Sequence, residues 1–476
     1  MEQNALFSCI DENAAVFTGL SDHIWDEPEL SLCEHRAMAR YCALLETLGF
    51  RVETGIAGVE TAFSGTFGSG RPVIGFLGEF DALSGLSQQA DITEETPLTP
   101  GGAGHGCGHN LLGAGALAAA AAVKAVLEES GQSGTVIFYG CPGEEGGAGK
   151  AFMAREGIFR ALDAAITWHP DDVNEVVTGS CLASYQVEYR FTGTAAHAAG
   201  CPHLGRSALD AVELMNVGVQ FLREHIPPHH GAHYAITDAG GISPNVVPAH
   251  AKVLYMLRSD NVPNILKLAA RVDDIARGAA LMTGTEVTRR FVDGTADVLP
   301  NAVLEKAAHE ALKAAPKPEY TPEDWAFVRA ISARCVHEGL PGFASKYDPE
   351  IADFVEGASE NGTRAINDFL LPLWHSRMIS AGSTDVGDVS RQTPTVQIHT
   401  ATWPSATPGH SWQAVACGKS PLAHKAMLYA AKAMAAVGWT LYTRPELLHA
   451  ARAEFEKQNR GGYVCPIPED AAPTAG

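Results

Sequence analysis

Short apolar segments alternate with helical patterns in the first third of the chain. RPVIGFLGEFDA, GTVIFYGC and DAAITWHP have the length and composition of buried strands, and the Ala-rich run LLGAGALAAAAAVKAVL separates the first two. Strands that alternate with helices form parallel sheets that are covered on both faces. The sequence therefore predicts an α/β fold, with a mostly parallel sheet and helices on both faces.

A different order of elements follows in the middle of the chain. Three strands, a helix between the first two, a further helix and a last strand give the order β-α-β-β-α-β, which is the ferredoxin-like pattern. This order indicates an inserted domain that serves as a lid or for dimerisation. We therefore divide the chain into a catalytic domain over 1–182 and 296–476 and an inserted domain over 183–295.

Two parts of the last third do not show a clear pattern. The stretch from about 316 to 362 has no regular periodicity and is interpreted as an insertion of unknown role. The tail CPIPEDAAPTAG is rich in Pro and Ala, and a segment of that composition is expected to be disordered.

Composition excludes several classes of function. The net charge of −21 argues against nucleic acid or an anionic membrane as a partner. The ten cysteines are scattered, unlike those of a disulfide scaffold, and the acidic N-terminus has no basic signal-peptide region. These features predict free thiols and a cytoplasmic protein. Lys124 interrupts the Ala-rich run, which favours a packed helix over a membrane span.

The glycine-rich stretch GHGCGHN, residues 104–110, places Cys107 and His109 two residues apart. Glycine costs backbone entropy, so a turn this rich in glycine needs a reason. A metal site, a disulfide, a nucleophile and a plain tight turn all remain open from this stretch alone. A metal site needs at least three ligands, so the rest of the chain must supply more of them.

Further ligand-type residues follow other predicted strands. Glu144 and Glu145 stand in CPGEEGGAGK, His169 ends the strand ITWHP, and His410 lies in TPGHSWQ after the strand PTVQIHTA. Ligands bind at the carboxyl ends of strands in open α/β sheets. Adjacent carboxylates suit a division of labour between metal binding and proton transfer, although an acidic pair can also be a solvated turn. Five ligand-type residues suit two metal ions that share one ligand.

Several motifs in order resemble the aminoacylase and carboxypeptidase G family of dinuclear metal amidohydrolases. They are GEFDALSGLSQQA, GHGCGHNLLG, CPGEEGGAGK, AAHAA-x-x-PHLGRSALDAV, GGISPNVVP, STDVGDVS and TPGHSWQ. The resemblance implies that Cys107 bridges two divalent ions, Mn²⁺ or Zn²⁺, with Co²⁺ also allowed by the donor set. His109 and His169 would be further ligands of one ion, and Glu145 and His410 would be further ligands of the other. Glu144 would be the general base.

The resemblance also assigns residues of the inserted domain. His197, in TGTAAHAA, would stabilise the oxyanion of the tetrahedral intermediate in the active site of a partner subunit. Asn245 and Arg258 have the family's spacing for residues that bind the carboxylate of the substrate, although an exposed strand-end arginine is an alternative for Arg258. Many relatives have His-x-Asp where this chain has Glu79-Phe80-Asp81, so that histidine ligand is lost. We expect His109 to replace it and Asp81 to orient a ligand.

These assignments lead to an expected function. The family resemblance implies a metal-dependent amidohydrolase that cleaves an N-acyl or N-aroyl amino acid, with p-aminobenzoyl-glutamate, cleaved to p-aminobenzoate and glutamate, as the first candidate. The alternatives are another N-acyl amino acid or dipeptide, and a non-catalytic partner chain built on the same fold. The expected partner is an identical chain in a homodimer or a related chain in a heterodimer.

Overall fold

The computed structural model describes residues 2–337, 347–376 and 379–474. In chain order the described strands are β1 (Arg51–Thr54), β2 (Phe63–Ser69), β3 (Val73–Gly78), β4 (Gly134–Gly140), β5 (Ala164–Asp171), β6 (Val173–Val176), β7 (Ser180–Cys181), β8 (Ala183–Thr192), β9 (Ala196–His197), β10 (Gly231–Asp238), β11 (Val246–Val247), β12 (His250–Ser259), β13 (Glu286–Thr295), β14 (Asn367–Leu370), β15 (Ile379–Ser380) and β16 (Thr395–Ala401).

The described helices cover both faces of the larger sheet or pack on the smaller one. In chain order they are α1 (Glu2–Glu12), α2 (Ala14–Asp26), α3 (His35–Thr47), α4 (His109–Ser130), α5 (Gly149–Arg155), α6 (Ala208–Arg223), α7 (Val262–Thr283), α8 (Ala302–Ala314), α9 (Pro322–Ser332), α10 (Pro349–Ala358), α11 (Val386–Ser390), α12 (Trp412–Cys417), α13 (Pro421–Thr443) and α14 (Pro445–Gln458).

The larger sheet has eight strands in the order β1-β2-β4-β3-β5-β16-β6-β14. Its central strands β4, β3, β5 and β16 are parallel to one another, whereas the pairs β1-β2, β2-β4 and β16-β6 are antiparallel. The predicted α/β class with a mostly parallel sheet is confirmed. Because the four central strands are parallel, the loops after them meet at one edge of the sheet.

Helix α4 is the Ala-rich run of the sequence, and it packs between the sheet and α13. By length and composition it could cross a membrane, but 89% of its most apolar window is buried inside the protein. Small residues allow this close packing. A Cβ at Gly115 would lie 2.9 Å from Nε1 of Trp168, and that nitrogen donates to the carbonyl of Leu112 on the same helix.

The smaller sheet is formed by the middle of the chain. Its four strands have the order β10-β12-β8-β13 and are all antiparallel. Helices α6 and α7 pack on it, and apolar side chains from both helices and from the strands form a separate core. The chain order β-α-β-β-α-β agrees with the ferredoxin-like pattern. The strand β10 stands at an edge of this sheet, with Tyr234 and Ile236 exposed.

The tail is ordered through residue 474, so the expectation of disorder is wrong. Ile467 is buried in an apolar cluster with side chains of α5, and the guanidinium of Arg155 donates to the carbonyls of Pro468 and Ala471. The hydroxyl of Tyr463 donates to Asp388 at 2.7 Å. Composition alone could not predict this, because the surface that covers the tail comes from distant parts of the chain.

We expect Ile467→Ala to lower the free energy of unfolding by about 2 kcal/mol or more, because it leaves a cavity under the tail. Urea unfolding of the variant beside the wild type measures this difference. Val464→Ala is the matched control, since Val464 is 40% exposed in the same tail and its truncation leaves no cavity. Equal stability of the Ile467 variant and the wild type would contradict the observed packing.

Candidate metal centre and active site

The ligand-type residues of the central sheet converge at the carboxyl ends of its parallel strands. Glu79 and Asp81 follow β3, Glu144 and Glu145 follow β4, and His169 lies near the end of β5. His410 follows β16, and His109 is the first residue of α4. The sheet order β4-β3-β5-β16 makes these loops neighbours although their sequence separation is large.

Two groups of donor atoms share the thiol of Cys107. Cys107, His109 and His169 form one group, and Cys107, Glu145 and His410 form the other, with all donor atoms of a group within 4.8 Å of one another. Within the first, the Cys107 sulfur is 3.3 Å from Nε2 of His169. Within the second, Nε2 of His410 is 3.4 Å from a carboxylate oxygen of Glu145. The structure thus brings together all five residues that the sequence singles out as ligands.

Glycines allow the loop around Cys107 to approach its neighbours. Gly108 has φ of +70°, and a Cβ there would lie 2.4 Å from the ring of Trp403. A Cβ at Gly106 would lie 3.3 Å from the Cα of His410, and the Gly106 carbonyl accepts a hydrogen bond from the His410 amide. His410 itself has a left-handed φ of 54°, which is uncommon outside glycine and typical of functional loops. These contacts explain the glycine-rich stretch.

The buried polar atoms of this centre show whether its residues suit a bound metal ion. Among the described residues, Oε1 of Glu145 is buried without a hydrogen-bond partner, and Nε2 of His109 makes no hydrogen bond, although Oε2 of Glu79 lies 3.2 Å from it. Such groups are costly to bury unless something binds them. Thiolate, imidazole and carboxylate donors are the ligands that Zn²⁺ and related divalent ions take in proteins. The donor set therefore fits bound divalent metal ions.

The imidazole of His109 lies between Asp81 and the first donor group. Its Nδ1 is 2.8 Å from Asp81, and its Nε2 is 3.2 Å from Oε2 of Glu79 on the side of Cys107 and His169. Asp81 also accepts hydrogen bonds from the hydroxyl of Ser31 and from the amide of Glu145. Asp81 therefore contacts the ring nitrogen of His109 that lies away from Cys107, and a carboxylate in such a position can hold a metal-binding histidine in place.

Burial shifts the pKa values of the centre. Burial and the neighbouring His109 lower the pKa of His169 to about 4, so its imidazole is neutral at pH 7, which is the form that binds metal. Burial, followed by the nearby Glu79, raises the pKa of Glu144 well above its usual range. Burial also raises the pKa of the Cys107 thiol, and a bound cation would instead favour its thiolate.

A cavity of about 500 Å³ opens beside the two donor groups. Cys107, Glu144, Glu145, His169 and His410 line it, together with Arg258 from the smaller sheet. The sequence predicts Arg258 as a substrate-binding residue, and the cavity is large enough for a small molecule. Arg258 donates to the carbonyl of Ala381 and to the hydroxyl of Ser383.

His197 and Asn245 do not line this cavity. They lie next to each other where β9 pairs with β11, and both are exposed. Nδ1 of His197 accepts hydrogen bonds from the amides of Ala199 and Gly200. Within a single chain, therefore, Arg258 lines this cavity and His197 and Asn245 do not.

The sequence reasoning missed one buried cluster. Glu79, treated only as a lost histidine ligand, places Oε2 3.2 Å from Nε2 of His109, and its other oxygen is 2.7 Å from Nζ of Lys150. Lys150 also contacts Asp385. Lys150 stands in CPGEEGGAGK and Asp385 in STDVGDVS, so the motifs contained both residues, but their separation of 235 positions concealed the contact.

Comparison with known proteins places this chain among hydrolases. The family model described as peptidase family M20/M25/M40 matches residues 75–371. The chain is 44% identical to the B subunit of p-aminobenzoyl-glutamate hydrolase from Escherichia coli, over 98% of its length and 97% of that protein. It is 28% identical to the Xaa-Arg dipeptidase of Mus musculus over 94% of its length and 90% of that protein.

Solved structures share the fold. A dinuclear metal binding peptidase of the M20 family from Bacillus subtilis superposes with a TM-score of 0.56 at 16% identity, over 91% of this chain and 99% of that one. An aminobenzoyl-glutamate utilization protein from Klebsiella pneumoniae gives a TM-score of 0.55 at 17% identity, over 88% of this chain and 96% of that one. At these identities the likeness establishes the fold alone.

The position of Cys107 in both donor groups generates a prediction about metal content. Cys107→Ser should leave the chain unable to retain either ion under conditions that saturate the wild type, because both groups lose a ligand. His410→Ala removes a ligand from one group only, so this variant should retain one equivalent. Elemental analysis of the reconstituted and desalted proteins measures this.

Cys42→Ser is the control for a cysteine substitution, since Cys42 lies on α3 outside both donor groups. It should retain the metal content of the wild type. A Cys107→Ser chain that still retains two ions would remove Cys107 from the centre.

Proposed function

The chain belongs to peptidase family M20/M25/M40, and from this premise we propose that it hydrolyses p-aminobenzoyl-glutamate to p-aminobenzoate and glutamate. It is a hydrolase of amide bonds. The observation that carries the proposal is the pair of donor groups sharing Cys107, with Glu144 and Arg258 in the same cavity. The similarity to the B subunit of the Escherichia coli hydrolase over nearly the whole of both chains supports the choice of substrate.

Two divalent ions, Mn²⁺ or Zn²⁺, are proposed for the two donor groups. Cys107 would be shared, with His109 and His169 on one ion and Glu145 and His410 on the other. When bound, such ions polarise a scissile carbonyl and lower the pKa of an attacking water. The remaining chemistry falls to side chains of this protein.

Glu144 is the proposed proton carrier. Its neighbour Glu145 belongs to a donor group, whereas Glu144 lines the cavity and is close to His109 and Glu79. As general base it would take the proton of the attacking water, and as general acid it would give that proton to the nitrogen of the leaving amino acid. One carboxylate can serve both steps because the first leaves it protonated for the second.

Arg258 is proposed to bind a carboxylate of the amino-acid part of the substrate. Its planar guanidinium suits a carboxylate, and it lines the cavity that holds Glu144. Binding there would place the amide next to the donor groups, so orientation contributes to the rate. His197 and Asn245 would act from a second chain, because they are exposed and lie outside this chain's cavity.

A partner chain is part of the proposal. The Escherichia coli relatives are named as the B and A subunits of one hydrolase, and the chain is 30% identical to the A subunit over 50% of its length. We propose either a homodimer or a heterodimer with a related chain, formed through the inserted domain and its exposed strand β10. All ten cysteines are free thiols in the structure, which supports a cytoplasmic location.

A second candidate substrate class is a dipeptide or another N-acyl amino acid, favoured by the Xaa-Arg dipeptidase relative. A hydrolysis screen tests both candidates. The purified chain, loaded separately with Mn²⁺ and Zn²⁺, is assayed on p-aminobenzoyl-glutamate, on other N-acyl amino acids and on Xaa-Arg dipeptides. The largest kcat/KM is expected for p-aminobenzoyl-glutamate. A larger value for a dipeptide would overturn the substrate, and metal binding without any turnover would favour a non-catalytic role.

Glu144→Gln should retain both metal ions but lose at least about a hundredfold in kcat, because the amide cannot accept the proton. Initial rates and elemental analysis of the same preparation measure the two effects. Glu305→Gln is a matched control, since Glu305 is another buried glutamate that lines the cavity away from the donor groups. Near-wild-type turnover in the Glu144 variant would assign the proton transfer to another group.

Mixing two inactive variants tests whether His197 acts in trans. A His197→Ala chain and a Glu144→Gln chain should each be inactive, and their mixture should recover part of the activity, because some dimers then contain one intact site. A pull-down with differently tagged chains establishes that subunits exchange. Exchange without recovery of activity would contradict an action of His197 across the interface.

A further inference from the structure

The segment 379–390 contains the motif STDVGDVS, which contributes no residue to the two donor groups. It begins with β15, which pairs with β7, and it ends with helix α11. In the described residues this segment contacts both connections of the inserted domain and also the buried cluster behind the metal centre. Those contacts assign a function to a motif that the proposed reaction leaves unused.

The first part of the segment contacts Arg258, the residue of the smaller sheet that lines the cavity. Nη1 of Arg258 donates to the carbonyl of Ala381 at 3.0 Å and to the hydroxyl of Ser383 at 2.6 Å. The same hydroxyl donates to the carbonyl of Leu182 at 2.7 Å. Leu182 immediately precedes β8, so Ser383 joins Arg258 to the point where the chain passes into the smaller sheet.

The second part of the segment contacts the point where the chain returns from the smaller sheet. A carboxylate oxygen of Asp388 accepts from the amide of Ala296 at 2.8 Å, and the hydroxyl of Ser390 accepts from the amide of Leu299 at 2.8 Å. A Cβ at Gly387 would lie 2.0 Å from the Ala296 carbonyl. This close approach requires glycine. Both connections of the inserted domain are therefore held by one short segment.

The middle of the segment contacts Lys150 of α5, next to the candidate metal centre. Asp385 accepts from the backbone amide of Lys150 at 2.8 Å and from its Nζ at 2.5 Å. Nζ of Lys150 also lies 2.7 Å from Glu79, whose other oxygen is buried and unpartnered and lies 3.2 Å from Nε2 of His109. Donor atoms of Glu79, His109 and Glu144 lie within 4.8 Å of one another.

Glu79, Lys150 and Asp385 form a buried ion cluster, so a change in one of these side chains affects the other two. Asp385 and Lys150 are fully buried and Glu79 is 2% exposed. Removing one partner of a buried ion pair leaves an uncompensated charge and is strongly unfavourable. Lys150 is the second residue of α5, which directly follows the loop that carries Glu144. A displacement of Asp385 therefore acts on that loop and on Glu79 together.

We propose that Asp385 and Lys150 are positioning residues that couple binding of the substrate carboxylate at Arg258 to the geometry of Glu79 and Glu144. The coupling passes through the segment 379–390, from Ser383 to Asp385. The inference rests on the proposed function, because it takes Arg258 as the group that binds the substrate. If Asp385 and Lys150 only stabilised the fold, substitutions at Ser383 and at Asp385 would affect activity independently.

A double-mutant cycle on p-aminobenzoyl-glutamate hydrolysis separates these alternatives. Ser383→Ala removes an acceptor of Arg258, and we expect it to lower kcat as well as raise KM, although Ser383 is not part of the donor groups. Asp385→Asn should lower kcat. In the double variant the loss in kcat/KM should be at least about fivefold smaller than the product of the single losses, because contiguous groups are not independent.

Lys432 supplies the matched control cycle. It is a buried lysine on α13, and its ion pair, with Asp11 at 2.6 Å, does not involve the segment. The loss in kcat/KM of the Lys432→Met and Ser383→Ala double variant should equal the product of the two single losses within about twofold, as for independent sites. Lys150→Met provides a second variant on the catalytic side if Asp385→Asn does not fold, and thermal unfolding of every variant identifies such a failure.

Amide hydrogen exchange supplies a readout that does not require turnover. The Lys150 amide donates to Asp385, so Ser383→Ala should speed exchange in residues 149–155 and leave α14 unchanged. Losses that multiply within about twofold in the Ser383 and Asp385 cycle, or unchanged exchange in residues 149–155, would overturn the coupling. Absence of hydrolysis of every tested substrate by the metal-loaded wild type would refute the proposed function, and the exchange result then decides the coupling alone.

Discussion

Four neighbouring strands of the larger sheet, β4, β3, β5 and β16, run parallel, and the candidate centre depends on that pairing. Each strand carries one or two polar groups near its carboxyl end or in the loop that follows it, and parallel pairing brings those ends to a single edge. Helix α4, which begins at His109, is buried against the same strands. Its Ala- and Gly-rich composition is therefore a condition of the site, because larger side chains would move His109 away from Cys107 and His169.

The charge distribution behind the centre follows from the same burial. Burial alone would lower the pKa of Lys150, but Asp385 and Glu79 outweigh it and hold that pKa well above its usual value. One cation thus lies between two buried carboxylates. Glu79 still has an unpartnered oxygen directed toward His109. The site combines a compensated buried ion cluster with Oε1 of Glu145, a buried oxygen without a hydrogen-bond partner that belongs to one of the proposed metal-binding groups.

The sequence was sufficient for the α/β class, the second sheet and the residues that gather around Cys107, because each of these follows from local patterns or from motifs at strand ends. It was insufficient for the tail, where Ile467 is buried by side chains from distant positions. It was also insufficient for the contact of Lys150 with Asp385, since no local pattern joins residues 235 positions apart. For His197 the family resemblance already implied a role in a partner subunit, and the structure places this residue outside the chain's own cavity.

The two sheets have separate main cores, and Phe291 of β13 and Tyr463 of the tail pack against apolar clusters of both. Most side-chain hydrogen bonds described above that join the smaller sheet or its connections to the catalytic domain go to the segment 379–390. A substrate held by Arg258 would bind to the smaller sheet, while the bond to be cleaved must lie at the edge of the larger one. In the proposed coupling the same few contacts transmit position between the two sheets, which gives the buried Asp385 a reason to be charged rather than apolar.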